Sequence, residues 1–121
     1  MKKRCTLNVE DIRAFVPSKD YSLSSKFYKQ LGFNLVYEAD DLSIFEQGEC
    51  SFILQNFYNE ELANNLMLQL MVKDIGKAAE HIQKVDVITV KTEGPVRQPW
   101  GLVLYMWGPS GELWHITQYE D

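Results

Sequence analysis

At 121 residues, with 45% apolar and 24% charged residues, the chain has the composition of one folded domain rather than of a disordered or low-complexity segment. A formal net charge of −5 disfavours association with nucleic-acid phosphates, and no apolar run approaches the length of a membrane span. Met1-Lys2-Lys3-Arg4-Cys5 leads into the mixed Thr6-Leu7-Asn8-Val9-Glu10 rather than an apolar signal core, so the expectation is a cytoplasmic protein in which Cys5 and Cys50 are reduced thiols.

Ile12 to Val16 has strand character and stops at Pro17, which cannot donate to a ladder and belongs at a strand end or sheet edge. Asp20 is placed to cap a helix. Leu23, Phe27, Tyr28 and Leu31 recur at helical spacing, and Gly32 closes the segment as a left-handed residue would. Phe33 to Ala39, Leu42 to Gln47 and Cys50 to Phe57 read as short strands, broken at Asp40-Asp41 and Gly48-Glu49. Asn59 to Asn65 is a polar linker with room for one helical turn. Leu66 to Val72 reads as a strand, and Asp74 caps a helix carrying Ile75, Ala78, Ala79 and Ile82. Val87 to Thr92 is a further strand, and Leu102 to Trp107 with Glu112 to Tyr119 form a hairpin across Gly108-Pro109-Ser110-Gly111. Between them, Glu93 to Gly101 reads as an irregular loop holding Gly94, Pro95, Pro99 and an aromatic tip, Trp100.

This order repeats itself. Lys19-Asp20 and the helix behind it are echoed by Lys73-Asp74 and its helix, and Gly48-Glu49-Cys50-Ser51-Phe52 is echoed by Gly111-Glu112-Leu113-Trp114-His115. Two copies, far longer than solenoid repeats, predict a duplicated domain. The expected fold is α+β within a single domain, residues 1–121: one βαβββ module over residues 12–57, a linker over 58–65, and a second βαβββ module over 66–119. Their curved sheet would form a concave cup, with equivalent positions of the two copies facing each other.

Val16-Pro17-Ser18-Lys19-Asp20-Tyr21, followed by Phe27-Tyr28-Lys29-Gln30-Leu31-Gly32-Phe33, is similar to the strand, proline, helix and Leu-Gly-Phe signature of the vicinal oxygen chelate superfamily. That group includes glyoxalases, extradiol dioxygenases and bleomycin-resistance proteins. Gln98-Pro99-Trp100-Gly101 and Gly108-Pro109-Ser110-Gly111-Glu112-Leu113-Trp114-His115-Ile116 resemble the Trp-Gly loop and final hairpin of the bleomycin-resistance proteins, except that Gly108 stands where an aspartate is usual. The likeness spans nearly the whole chain and bears more on fold than on activity.

The resemblance implies four candidate metal positions, one on the first and one on the fourth strand of each module. Counting from the repeated Lys-Asp and Gly-Glu pairs places them at Arg13, Phe52, Met67 and His115. Of these only His115 is a metal donor, since arginine is a fixed cation, a thioether is soft, and phenylalanine offers no lone pair. Neither metal nor cofactor is therefore expected, unless the register slips and Gln55 or Gln69 joins His115. His81, on the second helix, reads as structural.

What remains suits binding. If His115 faces the cup, alternation puts Leu113 and Thr117 beside it and sends Trp114 and Ile116 toward the helices. The same parity groups Arg13 with Phe15, Phe52 with Leu54, and Met67 with Gln69 and Met71; Trp100, Tyr105 and Trp107 add stacking surface. These side chains could instead fill a barrel-like core. Acidic residues are dense in the first module (Glu38, Asp40, Asp41, Glu46, Glu49) and in the linker (Glu60, Glu61), a field that would draw a cation, although a solvated face is the plainer reading. The resemblance also implies a homodimer that exchanges its N-terminal strand and builds two ligand grooves. The leading expectation is a bleomycin-resistance-like protein that sequesters an aromatic or cationic small molecule without catalysis, with Arg13, Phe15, Phe52, Met67, Gln69, Trp100, Tyr105, Trp107 and His115 as its binding residues. The competitors are a metal-dependent glyoxalase- or dioxygenase-like enzyme with shifted ligands, and a surface that serves only a protein partner or stability.

Overall fold

The computed structural model describes residues 7–120, which leaves Cys5 and the first residues of the N-terminal arm outside the description. The two long helices begin where the repeated Lys-Asp pairs place them. In α1 (Tyr21–Leu31) the Asp20 carboxylate accepts the Leu23 N–H at 3.1 Å, and in α3 (Ile75–Gln83) the Asp74 carboxylate accepts the Lys77 N–H at 3.1 Å. Each carboxylate satisfies an N–H that the helix itself leaves unpaired. Gly32 ends α1 at φ +117°, and its N–H returns to the Lys29 carbonyl. A side chain at that φ would be strained.

Around α1 the chain forms β1 (Phe15–Pro17), β2 (Asn34–Glu38), β3 (Leu42–Gln47) and β4 (Cys50–Gln55), ordered β1-β4-β3-β2 with β1 parallel to β4. A short helix, α2 (Glu60–Asn65), occupies the linker. The second unit adds β5 (Met67–Met71), β6 (Lys91–Gln98), β7 (Gly101–Trp107) and β8 (Leu113–Tyr119), ordered β5-β8-β7-β6 with β5 parallel to β8. Both units read βαβββ, the fold class expected from the duplication.

Three local expectations need correction. The first strand, expected over Ile12 to Val16, covers Phe15–Pro17 instead: Pro17 can end it because it lies at the sheet edge, and Arg13 lies just ahead of β1 rather than on it. The stretch from Glu93 to Gly101, expected to be irregular, is largely strand: β6 runs to Gln98 and pairs with β7 through a bulge between Glu93 and Val96. Gly94, at φ +108°, and Pro95 sit in that bulge. A bulge tolerates both residues because it suspends the ladder where a missing N–H and a positive φ would break it. The strand expected over Val87 to Thr92 begins only at Lys91, while Val87, Ile88 and Val90 pack half-buried against the core as connector.

One apolar core joins the two units. Tyr28 on α1 is fully buried and touches Phe27, Phe33, Phe45, Phe52 and Trp114 at ring-centroid distances of 4.9 to 6.3 Å. Its hydroxyl accepts the Trp114 Nε1–H at 2.9 Å and donates to Glu112 Oε2 at 2.7 Å. Glu112 is fully buried and also accepts the Ser110 N–H at 2.9 Å. Burial raises its carboxyl above the ordinary range, and the bonds it accepts offset only part of that. A Cβ at residue 108 would lie 2.4 Å from the Glu112 carboxylate carbon. The Glu112 head thus fills the space beside Gly108 that any larger residue would need.

Candidate functional site

The face of the second sheet turned from the core collects most of the expected binding residues. Along β5 the exposed positions are Met67, Gln69 and Met71, and along β8 Leu113 and His115 alternate with buried Trp114 and Ile116. Cross-strand contacts confirm that these side chains share one side. Gln69 Nε2 donates to Thr117 Oγ1 at 3.4 Å, the Tyr105 and His115 rings meet edge to face at 5.0 Å, and the Lys91 ammonium lies 4.4 Å from the Trp107 ring centroid. The parity expected for this sheet therefore holds. Thr117 is fully buried, and its hydroxyl donates to the His115 carbonyl at 3.2 Å.

His115 carries the most informative atom of this face. Its Nε2 is buried and makes no hydrogen bond. A stranded polar atom costs about 1–3 kcal/mol, which a bound group offering a complementary partner would recover. Gln69 lies directly across the ladder from His115, so two polar groups converge among Met67, Met71, Tyr105 and Trp107. Trp100 stands just before β7, its ring edge to face with Tyr119 at 5.3 Å.

The first sheet presents a different set from the one counted. Phe15 on β1 pairs in register with Ile53 on β4 and is half exposed, and Arg13, one alternation earlier, donates from Nε to Ser51 Oγ at 3.0 Å. Phe52 does not belong to this face. It is buried between Tyr28, Phe33, Phe45 and Trp114, and Leu54 lies inside with it. The Gly-Glu echo misplaced it because the two hairpins differ: Gln47 and Cys50 still pair across a two-residue turn, whereas the second ladder ends at Trp107 and Leu113, with a longer connection between. The turn sequences are thus one residue out of step with the strands, and Ile53 rather than Phe52 corresponds to His115.

Arg13 is not a free cation in this setting. Its Nε lies 3.3 Å from Asp11 Oδ2, and the Ser51 hydroxyl donates to the same oxygen at 2.8 Å. The Asp11 carboxyl is held below its ordinary range by the Ser51 hydroxyl first and the Ile12 N–H next, with Arg13 adding to both. Asp11, Ser51, Ile53, Lys91 and Tyr119 are residues of these faces that sequence reasoning did not select. For Ser51, Ile53 and Tyr119 the signal was strand alternation, available once the register is right. Lys91 was assigned to a strand but not followed to its neighbour on β7. His81 bonds the Gln30 carbonyl through Nε2 at 3.1 Å, at the junction of α1 and α3, a structural position as expected.

The two faces do not look at each other within one chain. Phe52 and Trp114 meet at 5.5 Å from the core sides of their sheets, so the sides carrying Phe15 and His115 point away from that shared core. Cavities within the chain lie elsewhere: one of about 510 Å³ beneath α3, lined by Ile82, Val85, Ile88 and Leu104, and one of about 230 Å³ beside Gly32 and His81. Among the described residues, no group of three or more His, Cys, Asp or Glu is placed to hold a metal ion. Nor do the corresponding positions, Arg13, Ile53, Met67 and Leu113 or His115, supply the donor set that a divalent ion would need. The described helices include none long and apolar enough to cross a membrane.

The sequence matches no family profile and no curated protein. Its backbone, however, superposes on solved structures over nearly its full length. A bleomycin-binding protein complexed with bleomycin is 21% identical, with a TM-score of 0.77, over 93% of this chain and 100% of that one. An antibiotic-binding protein from a Streptomyces species is 19% identical, with a TM-score of 0.78, over 95% and 100%. Lactoylglutathione lyase from Agrobacterium tumefaciens is 13% identical, with a TM-score of 0.71, over 92% and 95%. This chain has the fold shared by bleomycin-binding and glyoxalase-type structures, the fold that its vicinal oxygen chelate resemblance implied.

Proposed function

We propose that this protein is a small-molecule binder of the bleomycin-resistance type, which sequesters an aromatic or cationic ligand in the cytoplasm without transforming it. The observation that carries this reading is the unpartnered, buried His115 Nε2, set beside Gln69 on a face walled by thioether and aromatic side chains. Adaptable apolar walls with few polar handles are what ligand sites commonly offer. Stacking falls to Phe15, Trp100, Tyr105 and Trp107, hydrogen bonding to Gln69 and His115, and Met67 supplies an adaptable wall. Arg13, charge-paired with Asp11, offers a hydrogen bond rather than an open positive field, so it need not repel a cation.

A homodimer completes this reading. Each chain turns its two binding faces apart, and Phe15, Met67 and Met71 lie 50%, 68% and 49% exposed. A second copy would bring the first-unit face of one chain against the second-unit face of the other, forming two grooves and covering these residues. Exchange of the N-terminal arm, with Leu7, Val9 and Ile12 exposed along it, is the proposed means.

Titration of tryptophan fluorescence with bleomycin and a panel of flat aromatic drugs, alongside thermal melting and size-exclusion chromatography, tests the reading. Saturable quenching is expected. A ligand at a hundred times its Kd should stabilise the folded protein by about 2.7 kcal/mol. No quenching across the panel, or a monomer at every concentration, would overturn it. The competing reading, a metal-dependent enzyme, draws on the Gln69–His115 pairing and on the fold shared with lactoylglutathione lyase. It requires Ni, Zn, Mn or Fe(II) to raise the melting temperature, an effect that His115→Leu removes.

A further inference from the structure

Trp107 is the widest aromatic surface at the β7 end of the His115 face, and it is already in use. Lys91, its ladder partner on β6, places its ammonium 4.4 Å from the ring centroid. Trp107 is only partly buried, and its neighbour Met106 points into the core, so the ring presents toward the binding side. The next residue of β6 on that side, Glu93, pairs with Tyr105. A cation is therefore seated on the tryptophan, with a carboxylate one step along the strand.

We propose that Trp107 is a cation-receiving platform of the binding face, and that Lys91 is its resident occupant and hence a specificity-determining residue. The inference rests on the ligand-binding reading for its consequence, but the occupancy itself is a property of the free protein. An indole face attracts a cation through its ring quadrupole. A ligand bearing a fixed positive charge reaches the ring only by displacing Lys91, whose ammonium then returns to water. A neutral aromatic of the same shape also has to move the lysine, but the displaced ammonium, still tethered beside the ring on β6, repels only the cation. Lys91 thus holds down affinity for cationic ligands more than for neutral ones, while Glu93 favours a cation once it has arrived.

Two measurements separate failure of this inference from failure of the binding reading. The first needs no ligand. In a Trp100→Phe background the emission that a solute can reach belongs to Trp107, because Trp114 is buried. Quenching by caesium should rise about two- to fivefold on Lys91→Gln, the range of an exposed cation–π contact, and quenching by iodide should fall. Adding Trp107→Phe should abolish both responses. Unchanged caesium and iodide quenching in Lys91→Gln would overturn the proposal.

The second measurement compares N-methylacridinium with acridine at a pH where acridine is neutral. Lys91→Gln should tighten the cation about two- to fivefold and move the neutral dye less, and Trp107→Leu should erase that selectivity. Equal shifts for both dyes would also overturn the proposal. If neither dye binds, the binding reading suffers and the quenching experiment alone decides the place of Lys91.

Discussion

Replacing Glu112 probes the point where the two units are tied together. Its carboxylate accepts from the Tyr28 hydroxyl at 2.7 Å and from the Ser110 N–H at 2.9 Å, with no exposure to solvent. Glu112→Ala strands both donors and opens a void. At about 1–3 kcal/mol for each unsatisfied buried group, the loss is roughly 2–6 kcal/mol. Glu112→Gln retains an acceptor for one donor, and the Tyr28 hydroxyl can turn to accept from the new amide, so a loss of about 1 kcal/mol is expected. The pH dependence separates burial from hydrogen bonding. Burial raises the folded carboxyl above its unfolded value, so its contribution is complete below the unfolded pKa and lost as pH rises through the folded one. Stability of the native protein should therefore carry a falling component from Glu112 as pH climbs from about 4.5 toward neutrality, and Glu112→Gln should remove it. Urea unfolding followed by Trp114 fluorescence across that range measures both effects. Equal stability and equal slope in the two proteins would refute the reasoning.

Gly108→Ala places a methyl 2.4 Å from the Glu112 carboxylate carbon; a loss of about 1–3 kcal/mol in urea unfolding is expected, and it should shrink by at least half in a Glu112→Ala background. Phe52→Ala, deep among the core rings, should cost about 3–5 kcal/mol, whereas Phe15→Ala should leave the urea midpoint nearly unchanged and weaken ligand quenching. His115→Leu removes the unpartnered Nε2, so melting of the free protein should hold or rise by the equivalent of about 1 kcal/mol while affinity for the ligand falls. Met67→Glu sets a charge on the exposed β5 face and should shift the protein toward monomer in size-exclusion chromatography.

Those elements of the fold that rest on local chemistry were legible in the sequence. Asp20, Asp74 and Gly32 announce helix ends because their side chains, or the lack of one, satisfy backbone groups within a single turn. The alternation of β8 was readable because Trp114 and Ile116 are large and apolar while His115 and Thr117 are not. β6 was not legible. Its Gly94 and Pro95 look like breakers, and only the bulge opposite Val103, a long-range pairing, lets them remain within a strand.

The candidate site was legible by halves, and the reason lies in the hairpin turns. A strand has a period of two, so a displacement of one residue inverts every assignment made from it. The second-unit count began near the strand it described and stayed in phase. The first-unit count was carried over from that second hairpin by the Gly-Glu echo, and the unequal turns cost it one residue: Phe52 was moved out of the core, and Ile53 and Ser51 were overlooked. Aromatic identity reinforced the error, since a phenylalanine suits either a stacking wall or a core.

The repeat suggested a further expectation, that equivalent positions of the two units would face one another. The core contact between Phe52 and Trp114 opposes this within a single chain, because it joins the two sheets by the sides that turn away from Phe15 and His115. Duplication sets equivalent positions on equivalent faces, but it does not decide which copy of the chain supplies the opposing face. If the units bury their helix sides together, a groove lined by both kinds of face requires a second chain, and binding would then be linked to association by mass action. Ligand would stabilise the dimer, and dilution would weaken ligand binding.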